Sequence, residues 1–254
     1  MFLRILLSAC LSLGLTLSAH AEDGIAKVKQ DKQLSFALSG AYPPFNYVDD
    51  NGKLVGFDVE IGQEIARRIG VKGKPVATAW DGIIAGLLAK RYTTIIGSMA
   101  ITEDRLKTID FSQPYYRSGA QLFVKKGAKT MNIEDLKGKK VGVTLGTTFE
   151  AWLRKNAPEV EVRTYKGVPQ LIMETQSGRL AGFVSDRMTG LMAIKQHDFK
   201  LQMAGELLYP ELIGIALNKG NPELLKAINS AITEMQSDGT YTQISQKYFG
   251  TDIR

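Results

Sequence analysis

The segment from 98 to 116, SMAITEDRLKTIDFSQPYY, contains an arginine, Arg105, a few residues after the end of an apolar run. The run over 94–99 is strand-like, and the acidic pair after Thr102 indicates a helix start. Arg105 follows, and its guanidinium fork can hold a small carboxylate with two parallel hydrogen bonds. Helix-start N–H groups would add positive potential at the same place. The alternative is a surface arginine paired with a neighbouring acid: Glu103, Asp104 or Asp110.

A carboxylate ends a second apolar run. Asp186 follows the strand-like residues 181–185 and could accept hydrogen bonds from an ammonium group. Aspartate is also a favoured N-cap, so the alternative is a cap for a helix over 187–195. Both interpretations remain open at this stage.

Hydroxyl and aromatic side chains complete the set that could bind a ligand. Thr147 and Glu150 form a capping-box pattern after a strand and Gly146. Thr148 could still offer a hydroxyl and an amide to an anion. Tyr42 and Trp80 lie in loop-like contexts and could stack on a side chain, although aromatic residues often cover the edges of a core instead.

The elements that must position these residues alternate between strand-like and helix-like patterns, which predicts an α/β fold. A first set comprises a strand over 34–39, a helix over 57–69 that ends at Gly70, a short helix over 83–88 and a strand over 94–99. A second set comprises strands over 140–145, 181–185 and 212–218, a helical segment over 170–177, and a helix with Asn221 as cap and Pro222 in its first turn. Ligands gather at the carboxyl ends of such strands. If the sets face each other, one cleft would hold the arginine, the hydroxyls and the carboxylate.

The composition limits the possible functions. The 254 residues are 44% hydrophobic and carry a net charge of +6. Their basic residues are spread among acids, which argues against a nucleic-acid-binding protein. No residue pattern calls for a cofactor or a metal.

The first 21 residues read as a secretory signal peptide, and we place the mature start at Glu22. A basic start through Arg4 precedes an apolar run over 5–17 and small residues over 18–21. Cys10 lies in LSAC, which resembles a lipoprotein box, but too little apolar sequence precedes it and we do not expect lipidation. The mature chain would then contain no cysteine and no disulfide.

Several motifs occur in an order typical of one family, and the resemblance runs from about Leu34 to Phe249. The motifs are AYPPFNYVDDNGKLVGFDVEIGQEIARRIG, WDGIIAGLLAKRY, SMAITEDRLKTIDFSQPYY, LKGKKVGVTLGTTFEAW and MQSDGTYTQISQKYFG. In these the chain resembles the bacterial extracellular solute-binding proteins of the polar amino-acid type, which serve ABC importers.

The resemblance implies the two-lobed periplasmic binding protein fold of type II, with one amino acid between α/β lobes joined by two crossing segments. The first lobe would comprise 22–116 and 213–254, and the second 117–212. It also implies a periplasmic protein, expected to be a monomer, that delivers its ligand to an inner-membrane permease.

The family's binding residues correspond to seven positions of this sequence. The resemblance implies that Arg105 holds the ligand carboxylate, with a hydroxyl from Ser98 and a backbone amide from Ala100. Thr148 would bind the same group from the second lobe. The resemblance also implies that Asp186, an acid at a strand end, accepts hydrogen bonds from the α-ammonium. Tyr42 and Trp80 would form aromatic walls around the ligand side chain.

The sequence departs from the family in two places. Ser39 stands where basic amino-acid binders often have an acid, which argues against lysine or arginine as ligand. Thr93 stands where the family usually has Asp, and no consequence can be assigned to it.

Two other function classes are alternatives. Some secreted prephenate or arogenate dehydratases share the fold, but they carry a glutamate proton donor three residues after the counterpart of Asp186, where this chain has Thr189. A sensory domain is the other alternative, and the absence of an apolar span after the final helix argues against a membrane-fused receptor.

Overall fold

The computed structural model describes residues 24–197 and 199–254. The predicted signal peptide, the mature start at Glu22 and Cys10 lie outside the described residues. Within the described part of the chain, no helix combines the length and the apolar character needed to cross a membrane.

The chain alternates between helices and strands, as predicted. In chain order the elements are α1 (Gly24–Gln30), β1 (Gln33–Leu38), β2 (Ala41–Tyr42), β3 (Asn46–Val48), β4 (Leu54–Val55), α2 (Phe57–Ile69), β5 (Lys72–Ala77), α3 (Ile83–Leu88), β6 (Thr94–Ala100), α4 (Glu103–Leu106), β7 (Ile109–Phe111), β8 (Tyr116–Lys125), β9 (Lys140–Thr144), α5 (Thr148–Asn156), β10 (Glu161–Tyr165), α6 (Val168–Gln176), β11 (Gly182–Asp186), α7 (Arg187–His197), β12 (Leu201–Asn218), α8 (Pro222–Ser237) and α9 (Thr240–Phe249). Single turns of 3-10 helix cover Trp80–Gly82 and Glu134–Leu136.

The amphipathic pattern predicted α2 correctly at both ends. Isoleucines four residues apart place Ile61 and Ile65 in the core, where both are almost fully buried. The helix ends because Gly70 adopts the left-handed conformation, with φ 86°. Its N–H donates to the carbonyl of Arg67 at 3.0 Å, which satisfies a helix-end acceptor.

One sheet runs through the molecule in the order β10-β9-β11-β8-β12-β6-β1-β5. At one end β1 pairs in parallel with β5 and β6, and at the other β9 pairs in parallel with β10 and β11. We call the part built on β1, β5 and β6 the first lobe, and the part built on β9, β10 and β11 the second lobe.

Strands β8 and β12 connect the lobes as an antiparallel pair. Their pairing includes Tyr116 with Ile213 and Ser118 with Glu211. The strand predicted over 212–218 starts much earlier, at Leu201, so that prediction was wrong at its beginning. Local sequence misled it because Gly205 and Pro210 disfavour strands. Pairing with β8 nevertheless includes residues 201–204 and 209–213, and Gly205, with φ 67°, lies in the irregular stretch between them.

Each lobe has its own apolar core. The C-terminal helices pack on the first lobe, since Ile228 and Met235 of α8 belong to the same cluster as Phe36 and Ile65. In the second lobe a separate cluster includes Val143 and other buried residues. The lobe boundaries predicted at 116 and 213 stay a prediction.

The predicted helix caps have mixed outcomes. Thr147 caps α5, because its hydroxyl accepts from the Glu150 N–H at 3.3 Å. The Glu150 carboxylate returns to the Gly146 N–H at 2.8 Å instead of that of Thr147. Asn221 precedes α8 but makes no side-chain cap there, because its Oδ1 accepts from the Gly24 N–H at 2.7 Å.

We expect Thr147→Ala to lower the free energy of unfolding by about 1 kcal/mol, because it leaves a helix-start N–H without its side-chain acceptor. Urea denaturation of the ligand-free protein would measure the change. Thr147→Ser keeps the hydroxyl and should stay within about 0.5 kcal/mol of the parent. Equal stability of the alanine and serine variants would contradict the capping role.

Candidate functional site

A cavity lies between the two lobes, at the strand ends where the sequence analysis predicted polar residues. Its walls combine the loop around β2, the end of β6, the start of α5 and one residue of β12. They are formed by Ser39, Ala41, Tyr42, Trp80, Gly97, Ser98, Ala100, Arg105, Thr144, Thr147, Thr148, Phe149, Lys166, Gly167 and Glu211. Of the seven predicted site residues, the structure brings six to these walls, and Asp186 is the exception.

Arg105 presents a positive charge to the cavity. Its Nη1 donates to the Ala100 carbonyl at 2.7 Å, and its guanidinium carbon lies 6.0 Å from the centre of the Trp80 ring. Burial lowers the pKa of Arg105, although a guanidinium remains charged in proteins. Among the residues that the structure describes, no carboxylate forms an ion pair with it. Asp104 pairs with Lys107 and Asp110 with Lys219. The charge of Glu211 acts on the guanidinium without an ion pair.

The helix that carries Arg105 is shorter than the sequence suggested. α4 has a single turn, and the Arg105 N–H itself is used by the Thr102 hydroxyl at 3.2 Å. Because a macrodipole needs several aligned peptide units, the helix contributes little positive potential here. The guanidinium itself must carry the attraction for an anion.

Ser98 adopts a left-handed conformation with φ 60°, which is uncommon for a residue other than glycine. Its Oγ donates to the Asp58 carboxylate at 2.8 Å, and its N–H donates to the Tyr115 hydroxyl at 3.1 Å. A serine hydroxyl has one proton to donate, so it must exchange this hydrogen bond before it can donate to a ligand carboxylate.

Asp58 holds this part of the cavity wall in place through hydrogen bonds, and the sequence analysis did not predict that role. Besides Ser98, it accepts from the Asn46 side chain at 2.7 Å and from the Tyr115 hydroxyl at 2.7 Å. Burial raises its pKa to about 6. An acid in the first turn of a helix is usually exposed, and only its position on the apolar face of α2, beside Phe57, marked it as buried.

Asp186 lies behind the cavity wall. Its side chain is 1% exposed, and its Oδ1 accepts from the Met188 N–H at 2.7 Å and from the Thr189 N–H at 3.4 Å. The cap interpretation therefore describes its contacts. Burial raises its pKa to about 6. Its role as acceptor of a ligand ammonium stays a prediction, since it does not line the cavity in this arrangement.

The predicted aromatic residues and Thr148 reach the walls. Tyr42 stacks on Phe45 at a centroid distance of 5.6 Å, and burial raises its pKa well above the usual range, with Asp186 adding to the effect. Trp80 covers Arg105. Thr148 is the first residue of α5 and borders the cavity beside its capping neighbour Thr147.

Glu211 is a second acid that sequence reasoning missed. It lies on β12 and lines the cavity, and its Oε1 is buried without a hydrogen-bond partner among the described residues. Burial raises its pKa to about 7. The sequence LLYPELIGIAL, in which this acid interrupts an apolar run, could have indicated a buried carboxylate. No predicted helix start or turn drew attention to that position.

We expect the ligand-free protein to become more stable, by at least about 1 kcal/mol, as the pH falls from about 8 to about 5.5. The raised pKa values of Asp58, Asp186 and Glu211 mean that the folded protein binds protons more tightly than the unfolded chain. The stability that protonation adds is therefore lost as the pH rises through about 6 for the aspartates and about 7 for the glutamate. Urea denaturation across this range measures it. A constant or falling stability on acidification would contradict the burial of these groups.

No group of His, Cys, Asp and Glu side chains within residues 24–197 and 199–254 has an arrangement that could hold a metal ion.

Comparisons with known proteins agree on one family. Residues 34–251 match the model of the bacterial extracellular solute-binding proteins, family 3. The L-cystine-binding protein TcyJ of Escherichia coli K12 is 42% identical over 250 residues, which cover 97% of this chain and 94% of that protein. A solved ancestral arginine-binding protein with bound arginine is 41% identical, with a TM-score of 0.82 over 86% of this chain and 99% of the other. The ancestral amino acid-binding protein AncCDT-1, described as a precursor of cyclohexadienyl dehydratase, is 33% identical, with a TM-score of 0.84 over 89% and 99% of the two chains.

Proposed function

The chain belongs to the bacterial extracellular solute-binding proteins, family 3, and on that premise we propose that it captures a polar amino acid, or a derivative of one, in the periplasm. It acts as a monomer, closes its lobes on the ligand and delivers it to an inner-membrane ABC permease.

One observation carries the proposal. Arg105 lines the cavity between the lobes, and its guanidinium forms no ion pair with a carboxylate of the described residues, although the charge of Glu211 acts on it from a greater distance. A largely desolvated cation without a directly bonded anion is costly unless a ligand supplies one. The α-carboxylate of an amino acid supplies that anion and matches the guanidinium geometry.

Contacts between the lobes support closure as the mechanism. A side chain added at Gly167 of the second lobe would come within 2.6 Å of the Ala41 side chain of the first, and one added at Gly146 within 3.1 Å of the Asp81 backbone. Ligand shifts the equilibrium toward this closed arrangement because only here do both lobes contact it.

The interaction energies suffice for useful affinity. A hydrogen bond to a charged group contributes about 1.5–3 kcal/mol, and a micromolar complex needs about 8 kcal/mol. Two charged anchors and the burial of a ligand between Tyr42 and Trp80 therefore support micromolar or tighter binding.

The ligands named for the relatives, L-cystine and arginine, are the first candidates. Both are polar amino acids with a second nitrogen group. The absence of an acid at Ser39 weighed against cationic ligands, but Glu211 supplies negative charge at another wall of the same cavity. We therefore retain both candidates, with histidine, glutamine and opines as further members of the test panel.

The test is a titration of the purified mature protein with this panel by isothermal calorimetry and thermal shift. We expect one or a few polar amino acids to bind with micromolar or lower dissociation constants. No response to any member would overturn the proposal. Incubation with prephenate, followed by absorbance of phenylpyruvate, tests the dehydratase alternative. We expect no turnover, because the hydroxyl of Thr189 cannot replace a carboxylic acid as proton donor.

A further inference from the structure

A carboxylate with one unpaired oxygen faces the cavity from the segments that connect the lobes. Glu211 of β12 pairs with Ser118 of β8, so it sits at the base of the cleft. Its Oε1 is buried and accepts no hydrogen bond from a described residue. A buried acceptor left unsatisfied costs about 1–3 kcal/mol, so this position is unfavourable in the closed arrangement unless a ligand supplies a donor.

The residues around Glu211 offset its charge only in part: burial raises its pKa by more than Thr148 and Arg105 lower it. Among the described residues, no cation forms an ion pair with Glu211, and Arg105, the nearest candidate, directs Nη1 to the Ala100 carbonyl. Lys166 also borders the cavity, but it is exposed. Asp186 is close enough to raise the pKa of Glu211 after the larger effect of burial. Glu211 on the cavity wall and Asp186 behind it repel each other, so a cation between them would be favourable.

We propose that Glu211 accepts a hydrogen bond from the ammonium group of the bound amino acid, as a second anionic acceptor beside Asp186. The inference rests on the proposed function and adds a binding residue to it. An ammonium group has three N–H donors and needs several acceptors when it leaves water. Asp186 has committed Oδ1 to two backbone N–H groups and does not line the cavity, whereas Glu211 does.

The arrangement links binding to proton release. The titratable and charged groups that act on Glu211 or share its cavity are Arg105, Asp186, Tyr42, Tyr209 and Lys166. With a pKa of about 7, Glu211 carries a proton in about half of the molecules at pH 7. An arriving ammonium group favours the ionised carboxylate, so binding displaces that proton into solution.

The experiment compares the parent, Glu211→Gln and Glu206→Gln in titrations with L-cystine and L-arginine at pH 8. Glutamine keeps the shape of Glu211 and removes its charge, and Glu206 is an exposed acid on the same strand. For whichever probe the parent binds, we expect Glu211→Gln to raise the dissociation constant at least tenfold and Glu206→Gln to change it less than twofold. A change below twofold in Glu211→Gln overturns the inference.

A second measurement separates ligand contact from a structural role. Calorimetry at pH 7 in phosphate and in Tris, which differ in ionisation enthalpy, gives the number of protons released on binding. We expect Glu211→Gln to release about half a proton less than the parent. Equal release by both proteins would assign the ammonium to Asp186 alone and overturn the inference. If the parent binds no member of the wider panel, the proposed function itself fails. A parent that binds normally while Glu211→Gln is unaffected contradicts this inference alone.

Discussion

We expect Arg105→Ala to weaken binding of the proposed amino-acid ligand by more than about 2 kcal/mol, or about thirtyfold in the dissociation constant. The alanine leaves the ligand carboxylate inside the cavity without a counter-charge. The wall around it offers no substitute, because Lys166 is exposed and Lys107 pairs with Asp104. Calorimetric titration with the tightest ligand of the panel measures the loss.

Two further variants help to attribute this loss of affinity to Arg105. Arg105→Lys keeps the charge but not the planar fork, so its affinity should lie between those of the parent and the alanine variant. Arg91→Ala removes an exposed arginine and should leave binding unchanged. The assignment fails if Arg105→Ala binds the ligand as tightly as the parent does.

The sequence predicted the fold where local patterns and packing agree. The two-lobed type II fold is confirmed by the solved relatives. Helix α2 was predicted to the residue because its apolar spacing, its terminal glycine and its burial all indicate the same element. Strand β12 was not, because residues 201–204 and 209–211 belong to it through pairing with β8 and not through their own preferences.

The same distinction applies to the site. Arg105, Thr148 and Trp80 reach the cavity walls from the first turns of helical segments, where sequence signals are strong. Tyr42 reaches them from the short strand β2. Glu211 and Asp58 were missed because their burial depends on partners far away in sequence, such as Tyr115 for Asp58. For Asp186 the sequence signal fits two roles. Its side chain accepts from a helix-start N–H, and it is also the predicted acceptor of the ligand ammonium.

Closure of the lobes depends on a glycine at their contact. Gly167 precedes α6, and its φ of −172° is an extended conformation that any residue can adopt. A Cβ added here would lie 2.6 Å from the Ala41 Cβ and 2.8 Å from the Ala41 carbonyl oxygen, across the cleft. A larger residue should therefore disfavour the closed arrangement while leaving each separate lobe intact.

We expect Gly167→Val to raise the dissociation constant by about tenfold to a hundredfold, since overpacking of this kind costs about 1–3 kcal/mol. Small-angle X-ray scattering should show that saturating ligand reduces the radius of gyration of the parent but not that of the variant. Gly167→Ser supplies a favourable N-cap for α6 and still brings a Cβ to Ala41. It should also bind weakly, which separates the clash from any loss of helix stability.

Gly82→Ala is the matched control, because a Cβ at Gly82 meets no atom within 4 Å. It should bind ligand as the parent does. If Gly167→Val kept the parent's affinity and its ligand-induced compaction, the contact between Gly167 and Ala41 could not belong to the ligand-bound state. The bound lobes would then have to meet in another arrangement, and the cavity walls described above would not be those that enclose the ligand.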